Sequence, residues 1–261
     1  MLLTSPAIIL IFGLLCSNPA FSQKIATNSS ENSHNYDISH IAKEGDTDVQ
    51  YWIGRAYHSG AEGYEQNYQL AVEWYTKAAK RGHVKAQFAL GTMYQQGWGV
   101  KQSDNKAFDW YIKAAEKGDP LAMFVVGSFY SQGRGIMLST SRAVKWYRQA
   151  SEHGHAESQF NLANHYFRGE GVAQNEREGM RWLQQSAANG LSSAQYDLGV
   201  RYANAKGVNQ NLIEAYVWLA IAQKGNHPQA EQALKLLTKY LNSEQLRTAK
   251  EEVKNRSLER D

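Results

Sequence analysis

Ser103-Asp104-Asn105-Lys106 is the stretch most suggestive of covalent chemistry, because it reads both as Ser-x-x-Lys and as Ser-Asp-Asn. Enzymes that acylate a serine with a β-lactam use both strings, but as separate elements that converge on the ligand. Here the two overlap on the same four residues. His153 and His155, on either side of Gly154, offer two imidazoles to a metal, yet no third ligand stands at a spacing that would complete a zinc site. The Gly-x-Gly pairs have neither the P-loop nor the dinucleotide-binding arrangement, and the acidic residues are scattered without a distinguished pair. No catalytic residue, cofactor or metal is expected.

The elements that would have to position such residues are repeats. Trp74, Trp110, Trp146, Trp182 and Trp218 follow one another at steps of 36 residues, the mark of a tandem array. Tyr57, Tyr94, Tyr130, Tyr166 and Tyr202 keep the same step apart from one 37-residue interval, and Gly63, Gly99, Gly135, Gly171 and Gly207 keep it throughout. Within a unit, Ala86, Phe88, Leu90, Gly91 and Tyr94 form one apolar helical stripe, Gly97 and Gly99 a turn, and Ala107, Trp110, Tyr111 and Ala114 a second stripe. Ser103 then falls in a column with Asn67, Ser139, Asn175 and Asn211, all able to cap a helix N-terminus. Glu178 and Glu214, three residues beyond their caps, complete capping-box patterns. The tryptophans read as core, so truncating Trp146 is expected to open a cavity costing about 3–5 kcal/mol.

The predicted fold is all-α: a right-handed superhelical solenoid of five helix-turn-helix repeats with N- and C-terminal capping helices. The repeats are expected at 46–82, 83–118, 119–154, 155–190 and 191–225, after a capping helix at 36–45 and before capping helices in 226–261. Asn242 or Ser243 is expected to start the last of these, with fraying from Arg256 onward. Residues 1–22 read as a signal peptide, with an apolar run from Ala7 to Cys16, Pro19, and a cleavage site after Ser22. Cleavage would remove Cys16, the one cysteine, and leave no integral membrane span. Residues 23–35 read as a flexible polar leader. The net charge of +3, from 28 basic and 25 acidic side chains without a run of one sign, argues against nucleic acid as a partner.

These columns resemble the Sel-one-like repeat family, tetratricopeptide-like α-solenoids whose units run Ala, aromatic, Leu-Gly, Tyr, Gly-x-Gly-Val, a cap, Ala, Trp-Tyr, Ala-Ala, Gly. The resemblance implies an exported, periplasmic or secreted, non-enzymatic adaptor that binds a protein or peptide; the alternative is an envelope enzyme or binder for β-lactam or peptidoglycan-like ligands. It also implies that the first helix of each unit lines a concave binding surface, where side chains that vary between units carry recognition. One such column reads Arg55, Thr92, Ser128, Asn164 and Val200, and another His58, Gln95, Ser131, Phe167 and Ala203, both taken as exposed. Phe167 followed by Arg168 is their sharpest departure, pairing an aromatic with a guanidinium as binding hot spots often do. Trp98 offers a second exposed patch.

Overall fold

The computed structural model describes residues 46–61 and 64–258, so the expected signal, leader and first capping helix lie outside the described residues. Among these the chain is entirely helical, with twelve α-helices and no strand. It divides into two units, one ending at Lys117 and the other beginning at Gly118. The first holds α1 (Thr47–Ser59), α2 (Tyr68–Lys80), α3 (Val84–Gln96) and α4 (Asp104–Glu116). The second holds α5 (Pro120–Gln132), α6 (Thr140–Glu152), α7 (Ala156–Arg168), α8 (Glu176–Ala188), α9 (Ser192–Ala203) and α10 (Leu212–Lys224), followed by α11 (Ala230–Leu237) and α12 (Ser243–Leu258). Each odd-numbered helix up to α9 packs against the even-numbered helix after it, which makes five helix pairs.

Helix ends follow from local chemistry. The first helix of four pairs stops at a glycine in the left-handed region, Gly60, Gly97, Gly133 and Gly169, where a side chain would be strained. In the fifth pair that conformation falls on Ala205, at φ 54°. The second helices begin at the cap column: Asn67, Ser103, Asn175 and Asn211 each accept a backbone N–H of the first turn, while Ser139 makes no such bond. The capping boxes at Glu178 and Glu214 do not close. The N–H groups of Asn175 and Asn211 instead donate to the carbonyls of Tyr166 and Tyr202, at 3.0 and 3.1 Å, as the other three caps do with Tyr57, Tyr94 and Tyr130. Tertiary pairing has taken the donor that the glutamate would have used. The reciprocal box forms at Asn242, whose N–H donates to Gln245 Oε1 at 3.0 Å while its own Oδ1 accepts from Gln245 N–H at 2.9 Å.

Of the two neighbouring aromatics expected in the second apolar stripe, the tyrosine and not the tryptophan is the core residue. In the second helices Tyr75, Tyr111 and Tyr147 are buried, whereas Trp74, Trp110, Trp146 and Trp218 are only half-buried and Trp182 alone in its column is buried. A step of about 100° along the helix separates the two columns. The tyrosine faces the paired helix, where Gly54, Gly91 and Gly127 leave room: a Cβ on Gly91 would lie 2.8 Å from Tyr111 Cδ1. The tryptophans lie at the margin, and Lys77 and Lys113 set their ammonium groups 4.0 and 4.1 Å from the Trp74 and Trp110 ring centres. Nor does the chain fray at Arg256. Its guanidinium donates to both carboxylate oxygens of Glu214, at 3.1 and 2.5 Å, and lies 5.4 Å from the centre of the Trp218 ring, tying α12 to α10.

Candidate partner-binding surface

The two variable columns sit on α1, α3, α5, α7 and α9, and only part of each faces solvent. Arg55 is exposed, its guanidinium 4.6 Å from the Trp52 ring centre. Arg168 is exposed at the last position of α7. Thr92, Gln95, Ser128 and Ser131, read from the sequence as exposed, are half-buried and hold the tyrosine of the paired helix. Tyr111 donates its hydroxyl proton to Gln95 Oε1 at 2.7 Å, with Thr92 Oγ1 3.1 Å away. Ser128 and Ser131 hold Tyr147 in the same way, at 3.2 and 3.3 Å. In the first repeat His58 meets Tyr75 edge-on, with centroids 6.3 Å apart. Burial, aided by the positive charge of Arg55, keeps the His58 pKa below its ordinary value, and burial raises that of Tyr75.

The fourth repeat changes several of these residues together. Leu183 replaces the tyrosine, Gly179 replaces the alanine of its column, and Phe167 lays its ring over Gly179. The Arg201 guanidinium lies over that ring, 3.5 Å from its centre, and is itself paired with Glu176 and Asp197. Phe167 is therefore a half-buried ring packed against the core from the opposite helix, and Asn164 and Val200 in the neighbouring column are half-buried as well. The compensation is visible within the five units of the sequence, where the column of His58, Gln95 and Ser131 is polar opposite each tyrosine and turns apolar, at Phe167 and Ala203, where a leucine replaces it. Trp98 is likewise packed, stacked at 11° on Tyr68 with 5.6 Å between centroids.

The residues that suggested chemistry have structural partners. Ser103 Oγ accepts the Lys106 N–H at 3.3 Å as the cap of α4. His153 Nδ1 lies 2.9 Å from the Gln149 carbonyl, and His155 caps α7. Among the described residues no three His, Cys, Asp or Glu side chains cluster as metal ligands. No described helix is long and apolar enough to cross a membrane.

The caps of the first helices carry a feature the sequence reading missed. His83 and His155 accept backbone N–H groups at Nδ1, from Ala86 at 3.0 Å and Ser158 at 3.3 Å, which requires that nitrogen to be unprotonated. His155 also packs against Phe124, with 4.9 Å between centroids. Burial lowers its pKa, against the opposing pull of Glu157 and Asp119. A histidine whose folded pKa lies below the unfolded value of about 6.5 contributes stability that is complete above that pH and is lost as pH falls toward the folded pKa. The melting temperature is expected to fall as pH drops below about 6.5, and His155→Asn, which keeps a cap acceptor without titrating, to flatten that decline. An unchanged pH profile in that variant would remove His155 from the effect.

Comparison with known proteins bears on the same repeat. The Sel1 repeat family matches residues 47–83, 84–119, 120–155, 156–191 and 192–227. A crystal structure of a Sel1 repeat protein from Oxalobacter formigenes is 30% identical, with a TM-score of 0.69, over 78% of this chain and 85% of that one. An immunity protein from Pseudomonas aeruginosa is 22% identical, with a TM-score of 0.46, over 78% of this chain and 82% of that one. No curated protein matches the chain. Five consecutive matches, each spanning one helix pair and the turn after it, mean that the chain belongs to the Sel1 repeat family.

Proposed function

We propose that this chain is a non-enzymatic adaptor, exported from the cytoplasm, that binds a protein or peptide through the first helices of its repeats. The observation that carries the reading is the array itself: repeats of this family generally serve protein interaction, and here the first helices present side chains that differ from repeat to repeat. Arg55 and Arg168 are its exposed contacts. The apolar run before Ser22 supports export. The half-buried partners of the tyrosines hold the paired helices and are not themselves contacts.

A photo-crosslinker placed beside Arg168 in the full chain, expressed in its native cell, is expected to capture a discrete protein. Arg55→Ala and Arg168→Ala together should reduce the yield about tenfold, in line with the loss of hot-spot side chains. Equal capture by the double variant would overturn these contacts. A mature protein whose N-terminus is Met1 instead of Gln23 would overturn the processing.

A further inference from the structure

The tyrosine seat recurs through the array but is not filled in the last repeat. Rings pack between the paired helices in the first four: Tyr75, Tyr111 and Tyr147 over Gly54, Gly91 and Gly127, and Phe167, coming from the opposite helix, over Gly179. In the fifth, Leu219 stands in the tyrosine column, Ala203 in that of Gln95, Ser131 and Phe167, and Val200 in that of Thr92 and Ser128. None of these brings a ring. An open-sided cavity of about 590 Å³ lies there, lined by Val200, Ala203 and Leu219, by Tyr196, and by α11. Tyr196 corresponds to Phe88, whose ring packs against Tyr111 at 5.1 Å between centroids. The cavity is thus bounded by the same columns that clasp a ring elsewhere.

Its size and chemistry narrow the occupant. An apolar cavity of about 150 Å³ suffices for benzene, so this one has room for a ring and for the chain that carries it. No Asp, Glu, Lys, Arg or His lines it; the polar groups are neutral amides and two phenols. Neutral amides can pair with peptide N–H and C=O groups without the desolvation cost of an ion. Leu236 and Tyr240 extend the apolar surface outward, at 56% and 70% exposure.

We propose that this cavity is a docking pocket for a Phe or Tyr side chain presented by a protein partner, which takes the place that the chain's own rings hold in the other repeats. The proposal rests on the adaptor reading and adds the chemistry of one contact. Gly199 keeps beneath Leu219 the same close approach that Gly91 and Gly127 keep beneath their tyrosines, a Cβ there lying 2.8 Å from Leu219 Cγ. Leu219→Tyr should therefore refill the seat from within. Phe at position 203 would not, because Ala215 stands where Gly179 makes room for Phe167.

The test uses the full chain with labelled methyl groups and a blocked Ala-Gln-Phe-Gln-Ala peptide, compared with its Phe-to-Ala counterpart. The Phe peptide is expected to shift Val200, Leu219 and Leu236 methyl signals saturably, and the Ala peptide is not. Leu219→Tyr should raise the melting temperature by about 2–4 °C and weaken binding at least tenfold. Leu236→Gln, which alters only the mouth, should weaken it several-fold without changing the fold. Equal shifts with both peptides, or none with either, would overturn the pocket. So would p-cresol shifting these signals while the Phe peptide leaves them in place, which would make the occupant a free small molecule. Shifts that grow with protein concentration alone would identify a second copy and overturn it as well. If crosslinking at Arg168 captured the same partner from wild type and Leu219→Tyr while the peptides gave no shifts, the pocket would fall and the adaptor reading would stand.

Discussion

Tyr147→Ala is expected to lower the unfolding free energy of the second unit by about 3–5 kcal/mol, the range for removing a large buried ring. Tyr147 is 3% exposed. Its ring rests against Gly127, where a Cβ would lie 2.7 Å from Tyr147 Cε1, and neighbours Phe124 and His165 with centroids 6.0 and 5.7 Å away. With backbone on one side and fixed rings on the others, the site cannot collapse around the void, so the cavity term is not relieved. Trp146→Ala, one residue away and half-buried, should cost less than half as much. Tyr147→Phe separates the ring from its hydroxyl; losing the contacts with Ser128 and Ser131 should cost about 1 kcal/mol. Urea unfolding followed by circular dichroism orders the three. A Trp146→Ala protein less stable than Tyr147→Ala would return the core to the tryptophan column.

Gly171→Ala is expected to cost about 3–4 kcal/mol although it adds one methyl group. At φ 73° a non-glycine residue bears about 1–2 kcal/mol of strain. The new Cβ would also meet main chain, 2.6 Å from the Thr140 carbonyl carbon and 2.7 Å from its oxygen, and main chain cannot rotate aside as a side chain can. Overpacking of that kind adds about 1–3 kcal/mol. Gly154→Ala is the control. Its φ is 82°, yet no atom beyond its chain neighbours lies within 4 Å of the added carbon, so only the strain of about 1–2 kcal/mol remains. Equal destabilisation by the two substitutions would show that the close approach of the turn to α6 contributes nothing.

Most of the fold was legible in the sequence because a repeat aligns with itself: periodicity located each helix pair, and turn and cap columns marked the ends. What escaped was decided by contacts between columns. Trp146 and Tyr147 are both bulky and lie one helical step apart, and periodicity could not say which faced Gly127. Glu178 is correctly spaced for a capping box, but the Tyr166 carbonyl already holds the donor. The candidate site was legible only in part. Variation between units pointed to the first helices, yet at Gln95, Ser131 and Phe167 it recorded changes in the ring beneath, not exposure to a partner. A column varies for packing when its neighbour varies with it, and Arg55 and Arg168 are the positions where exposure sets that explanation aside.

One further contact recurs: the buried amides of Gln87, Gln159 and Gln195 each donate to a main-chain carbonyl eight residues earlier, those of Ala79, Ser151 and Ala187, at 3.0–3.1 Å. Each bond fastens the end of one helix pair to the start of the next, and each closes over a short stretch of chain. Segments held by such local ties can begin to fold wherever a pair first forms, without waiting for distant parts of the chain to meet. The same locality bears on inheritance: a block of DNA encoding 36 residues can be copied or lost, and the amide fastenings of the remaining pairs are carried along complete.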